Sequence, residues 1–259
     1  MMDRTAVQLA WDLFDESPTL VLLHAFPLDR RMWAAQVGEL AEAARVVTLD
    51  LPGFGASRDT RVRPDLDAWA DAVESSLAEL IGEEPVVLCG LSMGGYVALR
   101  IADRHPGRLE GLILADTRAG ADSTEGAEAR EQAIDHVNRH GVEALADQLI
   151  PKLFSPEADR EATTFARELA LDQAPEAVTG ALQAMRDRPD STAVLDDLRV
   201  PALIIVGEVD ELTPPAEAES MARRIGNAWL VKIPGAGHLT NIEAPEQFNA
   251  AIKGFLAAM

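Results

Sequence analysis

The residues Gly90-Leu91-Ser92-Met93-Gly94-Gly95 carry the sharpest chemical signal in the chain, a G-x-S-x-G pattern. The run before them, Val86-Val87-Leu88, is apolar, and helical spacing begins at Met93. A serine on a tight strand-to-helix turn projects its hydroxyl above the sheet, and glycines on either side relieve crowding at the strained residue. The helix N-terminus that follows favours the negative charge developing there. Ser92 is therefore a candidate nucleophile for acyl transfer. The bland alternative is a capping serine between packing glycines.

A free serine needs a base, and the base must be oriented by an acid. For a nucleophile on such an elbow the chain order is serine, acid, histidine. His238 lies in the glycine-rich segment Pro234-Gly235-Ala236-Gly237-His238, directly after an apolar run ending at Ile233. Asp210 follows the run Leu203–Val206 in Gly207-Glu208-Val209-Asp210. Functional residues of open α/β sheets gather at the C-terminal ends of strands, where both residues fall. Asp210 also has a plain reading as a turn residue ahead of Pro214-Pro215. Asp116, past another strand end, is the competing acid, with a structural capping role as its alternative.

An acyl-transfer transition state places charge on the carbonyl oxygen, which two backbone N–H groups should meet. Met93, after the nucleophile, offers one, and the loop after the first buried strand offers the other. In that loop, His24-Ala25-Phe26-Pro27, Phe26 is the expected donor because Pro27 has no N–H. His24 reads as a structural residue holding the loop. His105 suits a helix C-terminus. His136 and His140, four apart, could touch a metal, but no H-E-x-x-H arrangement accompanies them, and neither metal nor cofactor is expected. The lone cysteine, Cys89, reads as a small core residue, so disulfides and thiolate zinc cages are excluded.

These groups require a parallel sheet wrapped by helices. Thr5–Phe14 reads as a lead-in strand, Thr19–Leu23 as a second and Arg45–Leu49 as a third, with helical residues over 31–43 between the last two. Leu66–Ile81 has apolar residues at helical spacing. Pro85–Leu91 and Leu109–Ala115 read as strands buried on both faces. From Thr117 to Leu198 only helix-compatible segments occur, broken at Gly126, Gly141, Pro151, Pro156, Pro175, Gly180 and Pro189. Strand, helix, strand and helix then resume at Pro201–Val206, Ala216–Ile225, Ala228–Ile233 and Pro245–Ala258. The expected division is a core of residues 1–116 and 199–259 with a helical cap, or lid, over 117–198. Lid apolar residues such as Leu145, Leu149, Leu153, Leu182 and Met185 bring no obvious positive charge. An apolar pocket for an alkyl or aryl acyl group is the expectation.

The chain has 259 residues, 23 basic against 43 acidic, for a net charge of −20. Nucleic-acid binding draws its affinity from Lys and Arg on phosphates, so that class is excluded. No stretch approaches the roughly 18 apolar residues that span a bilayer. The charged start, Met1-Met2-Asp3-Arg4, argues against a signal peptide, so the expectation is a cytoplasmic protein without membrane association. A high-salt habitat and a GC-rich genome both account for the acidic, lysine-poor composition.

Taken together, His24-Ala25-Phe26-Pro27, Asp50-Leu51-Pro52-Gly53-Phe54-Gly55-Ala56-Ser57, the Ser92 elbow, Asp210 and Gly237-His238 resemble the α/β-hydrolase family. The likeness is greatest to bacterial serine esterases, 3-oxoadipate enol-lactonases and cofactor-free haloperoxidases. The resemblance implies an eight-stranded, mostly parallel sheet with helices on both faces and an inserted helical cap. It implies a Ser92–His238–Asp210 triad, with oxyanion donors at Phe26 and Met93. Ala25 departs from the family's usual glycine, and its methyl is expected to narrow the mouth or shift the oxyanion loop. The implied activity is hydrolysis of small, mainly apolar carboxylic esters through an acyl-enzyme. Lactone opening, with Arg118 as the lid-adjacent cation, and perhydrolysis are alternatives of the same chemistry. A ligand sensor on a hydrolase scaffold is the alternative of another class. The expected partner is a small ester or lactone, and the protein a monomer or small homo-oligomer.

Overall fold

Strands buried on both faces must be apolar throughout, and the central runs obey that rule. In the computed structural model, which describes residues 7–10, 18–60 and 62–259, seven strands form one sheet. They are β1 (Val7–Ala10), β2 (Thr19–Leu23), β3 (Arg45–Leu49), β4 (Val86–Leu91), β5 (Leu109–Ala115), β6 (Ala202–Gly207) and β7 (Ala228–Ile233). Their order is β1-β3-β2-β4-β5-β6-β7, parallel except for β1, which runs antiparallel to β3. Every residue of β2, β4 and β6 is buried, whereas the edge strand β7 is partly open. The rest of the expected lead-in strand, beyond Val7–Ala10, lies outside the described residues. The described residues hold seven strands where the resemblance implies eight.

Ten helices surround the sheet among the described residues: α1 (Ala34–Leu40), α2 (Leu66–Ile81), α3 (Met93–Arg104), α4 (Thr124–Leu149), α5 (Arg160–Leu171), α6 (Pro175–Arg186), α7 (Thr192–Asp197), α8 (Pro215–Arg224), α9 (Thr240–Glu243) and α10 (Pro245–Leu256). Alternation along the strands splits the core into two clusters. Val21, Leu23, Leu88, Leu112 and Ile204 face α2, α3 and α8. Leu22, Val87, Cys89, Ile113 and Ile205 face α1 and α10, where Trp33 and Phe248 fill the space. The helix expected over 31–43 is divided, with a 3₁₀ turn at Arg30–Trp33 leading into α1. Asp29 caps that turn by accepting the Arg31 N–H.

Neighbouring parallel strands need a crossover, and between β5 and β6 the chain supplies α4 to α7. Gly141 (φ 82°) kinks α4, and Pro175 opens α6 at a position that needs no N–H donor. Gly126 and Gly180, expected as breaks, lie inside α4 and α6. A helical glycine costs only about 1 kcal/mol, and the packing of α4 against α6 overrides it. α7 sits apart from these, against α3 and α8. Among the described residues no helix is long and apolar enough to cross a membrane.

Candidate active site

The turn between β4 and α3 holds Ser92 at φ 54° and ψ −111°, a conformation that non-glycine residues rarely adopt. The flanking glycines have a steric cause. A Cβ at Gly90 would overlap the Gly94 carbonyl, and one at Gly94 would overlap the carbonyl of Leu23. Close packing of α3 on β2 and β4 thus fixes both positions. Thr117 braces the turn by donating its hydroxyl to the Ser92 carbonyl, at 2.8 Å.

Loops at the ends of β6 and β7 bring two further groups to this turn. The Ser92 hydroxyl donates to His238 Nε2 at 2.8 Å, and His238 Nδ1 donates to Asp210 Oδ2, also at 2.8 Å. Asp210 and His238 are 3% and 4% exposed, enough shielding to strengthen each of these bonds. Asp210 also fills its turn role, accepting the N–H groups of Leu212 and Thr213 and the Thr213 hydroxyl at 2.6 Å. Burial pushes the Asp210 carboxyl up, but the His238 and Thr213 hydrogen bonds outweigh it and hold it below the ordinary carboxylate range.

Asp116 is brought close to this group but not into it. Its carboxyl accepts the Gly207 N–H at 2.9 Å and the Thr240 hydroxyl, and its bonds do not extend to His238. Complete burial, and then the charge of Asp210, push the Asp116 carboxyl well above its ordinary range. His24 is likewise turned away. Its Nδ1 donates to the Ala25 carbonyl at 3.0 Å and its Nε2 accepts the Leu51 N–H at 2.9 Å, while burial lowers its pKa. It is a neutral ring clamping the loop after β2 to the loop after β3. The Ala25 methyl is fully buried in the α1/α10 cluster, which corrects the expectation that it narrows the mouth.

Thr213 and Glu243 were not legible as parts of this arrangement. Thr213 stands three residues after Asp210, where an Asx-type turn would have suggested it. Glu243, on α9, accepts the Gly237 N–H at 2.9 Å and the Ser155 N–H and hydroxyl. The N–H groups of His238 and Leu239 both donate to the Leu153 carbonyl. The histidine loop is thereby fastened to the segment joining α4 and α5. A second fastening joins Gln173, after α5, to the Gly55 N–H and to Asp29 in the loop after β2.

Above Ser92 lies a cavity of about 420 Å³, lined by Phe26, Ser92 and His238 and walled by residues of α4 and α6. Leu145, Leu149, Leu182 and Met185 supply the apolar wall. Arg118, Arg130 and Lys152 also line it, so the expectation of a wall without positive charge is corrected. Ile134 and Val137 pack on the core, while the first half of α4 turns Gly126, Ala129 and Ala133, with Arg130, toward the cavity. Met93, fully buried, begins α3, where backbone N–H groups lack intrahelical partners. Among the described residues no group of three or more His, Cys, Asp and Glu could hold a metal ion; the His136 and His140 rings lie 4.9 Å apart, tilted by 48°, and His136 also meets Gln148 Nε2 at 3.3 Å.

The sequence model of the alpha/beta hydrolase family matches residues 20–251. A pimeloyl-[acyl-carrier protein] methyl ester esterase from Aromatoleum aromaticum is 34% identical, over 88% of this chain and 94% of its own length. Among solved structures, a thermophilic esterase from Thermogutta terrifontis with malate bound is 39% identical at a TM-score of 0.91, covering 98% of this chain and 93% of the other. The enol-lactonase from Burkholderia xenovorans LB400 is 26% identical at a TM-score of 0.88, covering 98% and 96%.

Proposed function

The chain belongs to the alpha/beta hydrolase family and is an ester hydrolase, and from that premise we propose that Ser92, His238 and Asp210 work as its catalytic triad on a small carboxylic ester. The observation that carries the reading is the unbroken relay from Ser92 Oγ through both ring nitrogens of His238 to a buried carboxylate, with 2.8 Å at each link. His238 removes the Ser92 proton as Oγ attacks the ester carbonyl, and Asp210 stabilises the imidazolium. The N–H groups of Phe26 and Met93 receive the oxyanion. The alcohol departs with the proton from His238, leaving an acyl-enzyme. Water, deprotonated by His238, then releases the acid and restores Ser92. Residues 117–198 serve as the lid, with α4 and α6 setting what fits.

Opening a lactone is the second reading, supported by the likeness to the Burkholderia enol-lactonase. The steps are the same, except that the leaving oxygen stays tethered to the acyl group.

p-Nitrophenyl esters from acetate to decanoate, assayed with wild type and Ser92→Ala side by side, test the proposal. Serine-dependent turnover with an optimum at short to medium chains is the expected result for a cavity of this size. Equal turnover by Ser92→Ala would overturn it.

A further inference from the structure

The protein carries a net charge of −20, yet the charged side chains around its cavity are three cations and one carboxylate. The carboxylate, Asp122, is held by Arg130 at 2.5 Å and by Arg188, from outside the cavity, at 2.7 Å. That leaves Arg118 and Lys152 as the cations whose charge no protein group offsets. Among the described residues neither has a carboxylate within ion-pair distance. A protein whose overall field repels anions thus presents local positive charge beside its nucleophile, where apolar walls concentrate the field.

Arg118 is built in rather than adventitious. It lies just past the end of β5, half-buried, and its Nη2 donates to the Leu212 carbonyl in the turn that also carries Asp210. That anchor fixes the plane of the guanidinium while its Nε, itself buried, has no acceptor in the protein. The Leu212 carbonyl is the one protein acceptor of this guanidinium among the described residues, so its remaining N–H groups are left for an acceptor in the cavity that Arg118 lines. A planar donor fork held in this way matches a carboxylate better than a neutral carbonyl. Lys152 is exposed and adds a mobile charge at the same cavity.

We propose that Arg118 makes the cavity selective for esters or lactones that carry a carboxylate away from the reacting carbonyl. The inference rests on the serine-hydrolase reading and specifies its substrate class. Arg118 acts as a specificity residue: it binds the remote anion and takes no part in the proton transfers.

The test is a ratio of kcat/KM values for matched anionic and neutral esters. On the acyl side, mono-p-nitrophenyl glutarate and adipate are compared with p-nitrophenyl pentanoate and hexanoate. On the alcohol side, carboxymethyl butyrate is compared with ethyl butyrate. Wild type is expected to favour the anionic member of one series, mainly through KM, and the series shows which side of the ester bears the charge. Arg118→Gln should lower that ratio by about ten- to hundredfold, the range expected for losing a charged hydrogen bond, and Arg118→Lys should restore part of it. Because Arg118 also steadies the Asp210 turn, the ratio cancels any loss common to both substrates. A wild-type measurement backs up the variants: glutarate should inhibit hydrolysis of p-nitrophenyl butyrate competitively, and 1,5-pentanediol should not. A ratio below one in both series, or one unchanged in Arg118→Gln, overturns the inference while leaving the esterase standing. No turnover of any ester, with Ser92 unlabelled by a fluorophosphonate, removes the serine-hydrolase reading and this inference with it.

Discussion

The loops after β5 and β6 leave adjacent parallel strands, and each carries a buried carboxyl within its first three residues, Asp116 in one and Asp210 in the other. Their surroundings drive them in opposite directions. Asp210 accepts from His238, from the Thr213 hydroxyl and from two backbone N–H groups, and it stays ionised. Asp116 is completely buried beside the negative Asp210 and has no cation, and these outweigh its hydrogen bonds from the Gly207 and Thr240 backbone and the Thr240 hydroxyl, so the proton is favoured. Two carboxyls at one sheet edge therefore differ in chemistry because depth of burial, charged neighbours and hydrogen-bond partners differ. Position at a strand end nominates a residue. Partners decide what it does.

Replacement of each carboxyl by its amide sharpens that contrast most. Asp210→Asn keeps the shape but cannot hold His238 in the tautomer that leaves Nε2 free to accept from Ser92. A loss in kcat of roughly 10³–10⁴-fold is expected, by analogy with other triads, measured on whichever ester turns over fastest. A decrease under tenfold would break the comparison by showing that another group orients His238.

A smaller loss is expected at Thr213, whose hydroxyl donates to Asp210 and lies 3.1 Å from His238 Nδ1. Thr213→Val removes one hydrogen bond to a charged group, worth about 1.5–3 kcal/mol, so kcat should fall about tenfold or somewhat more. The reduced activity should come with an acid limb of the pH–rate profile moved to higher pH, since the Asp210 carboxylate loses a donor. Thr213→Ser should recover most of both effects.

How much of this could be read from the residues follows the same division. The Ser92 turn was legible because close backbone approach demands glycine at 90 and 94, a constraint written in residue type. Asp210 and His238 were legible from chain order and their placement after apolar runs. The strands at 86–91 and 109–115 fall within a residue of expectation, because burial on both faces leaves almost no polar alternative; the partly open edge strand at 228–233 matches as well, as a short apolar run between turn residues. Arg118 was nominated, but the charged cavity wall formed with Arg130 and Lys152 was not. The direction of a side chain on α4 depends on how that helix packs on α6, and Gly126, Ala129 and Ala133 around Arg130 give no hydrophobic stripe. Glu243 was invisible for a related reason: apart from the Ser155 hydroxyl, it bonds to backbone N–H groups, of Gly237 and Ser155, which nearly any residue possesses.

The smallest effect on turnover is expected for Asp116→Asn, and here the contrast becomes one of sign. The amide oxygen can still accept the Gly207 N–H and the amide nitrogen can donate to Thr240, so kcat should stay within a few-fold. Stability should respond to pH in opposite senses at the two carboxyls. The Asp116 pKa lies well above its ordinary 3.8 in the folded chain, so the fold keeps a proton that the unfolded chain has released. Between those two pKa values stability falls as pH rises. Asp116→Asn removes that slope, and its urea midpoint should gain on wild type steadily from pH 4 upward. The Asp210 pKa lies below 3.8 when folded, so its contribution is present above that value and is lost as pH falls through the folded pKa. Asp210→Asn should therefore differ from wild type most at neutral pH and converge on it in acid. Urea midpoints for the three proteins at several pH values from 3 to 9 measure both slopes. Parallel curves for wild type and Asp116→Asn would show that Asp116 is ionised in the fold, and the two strand-end carboxyls would then be alike.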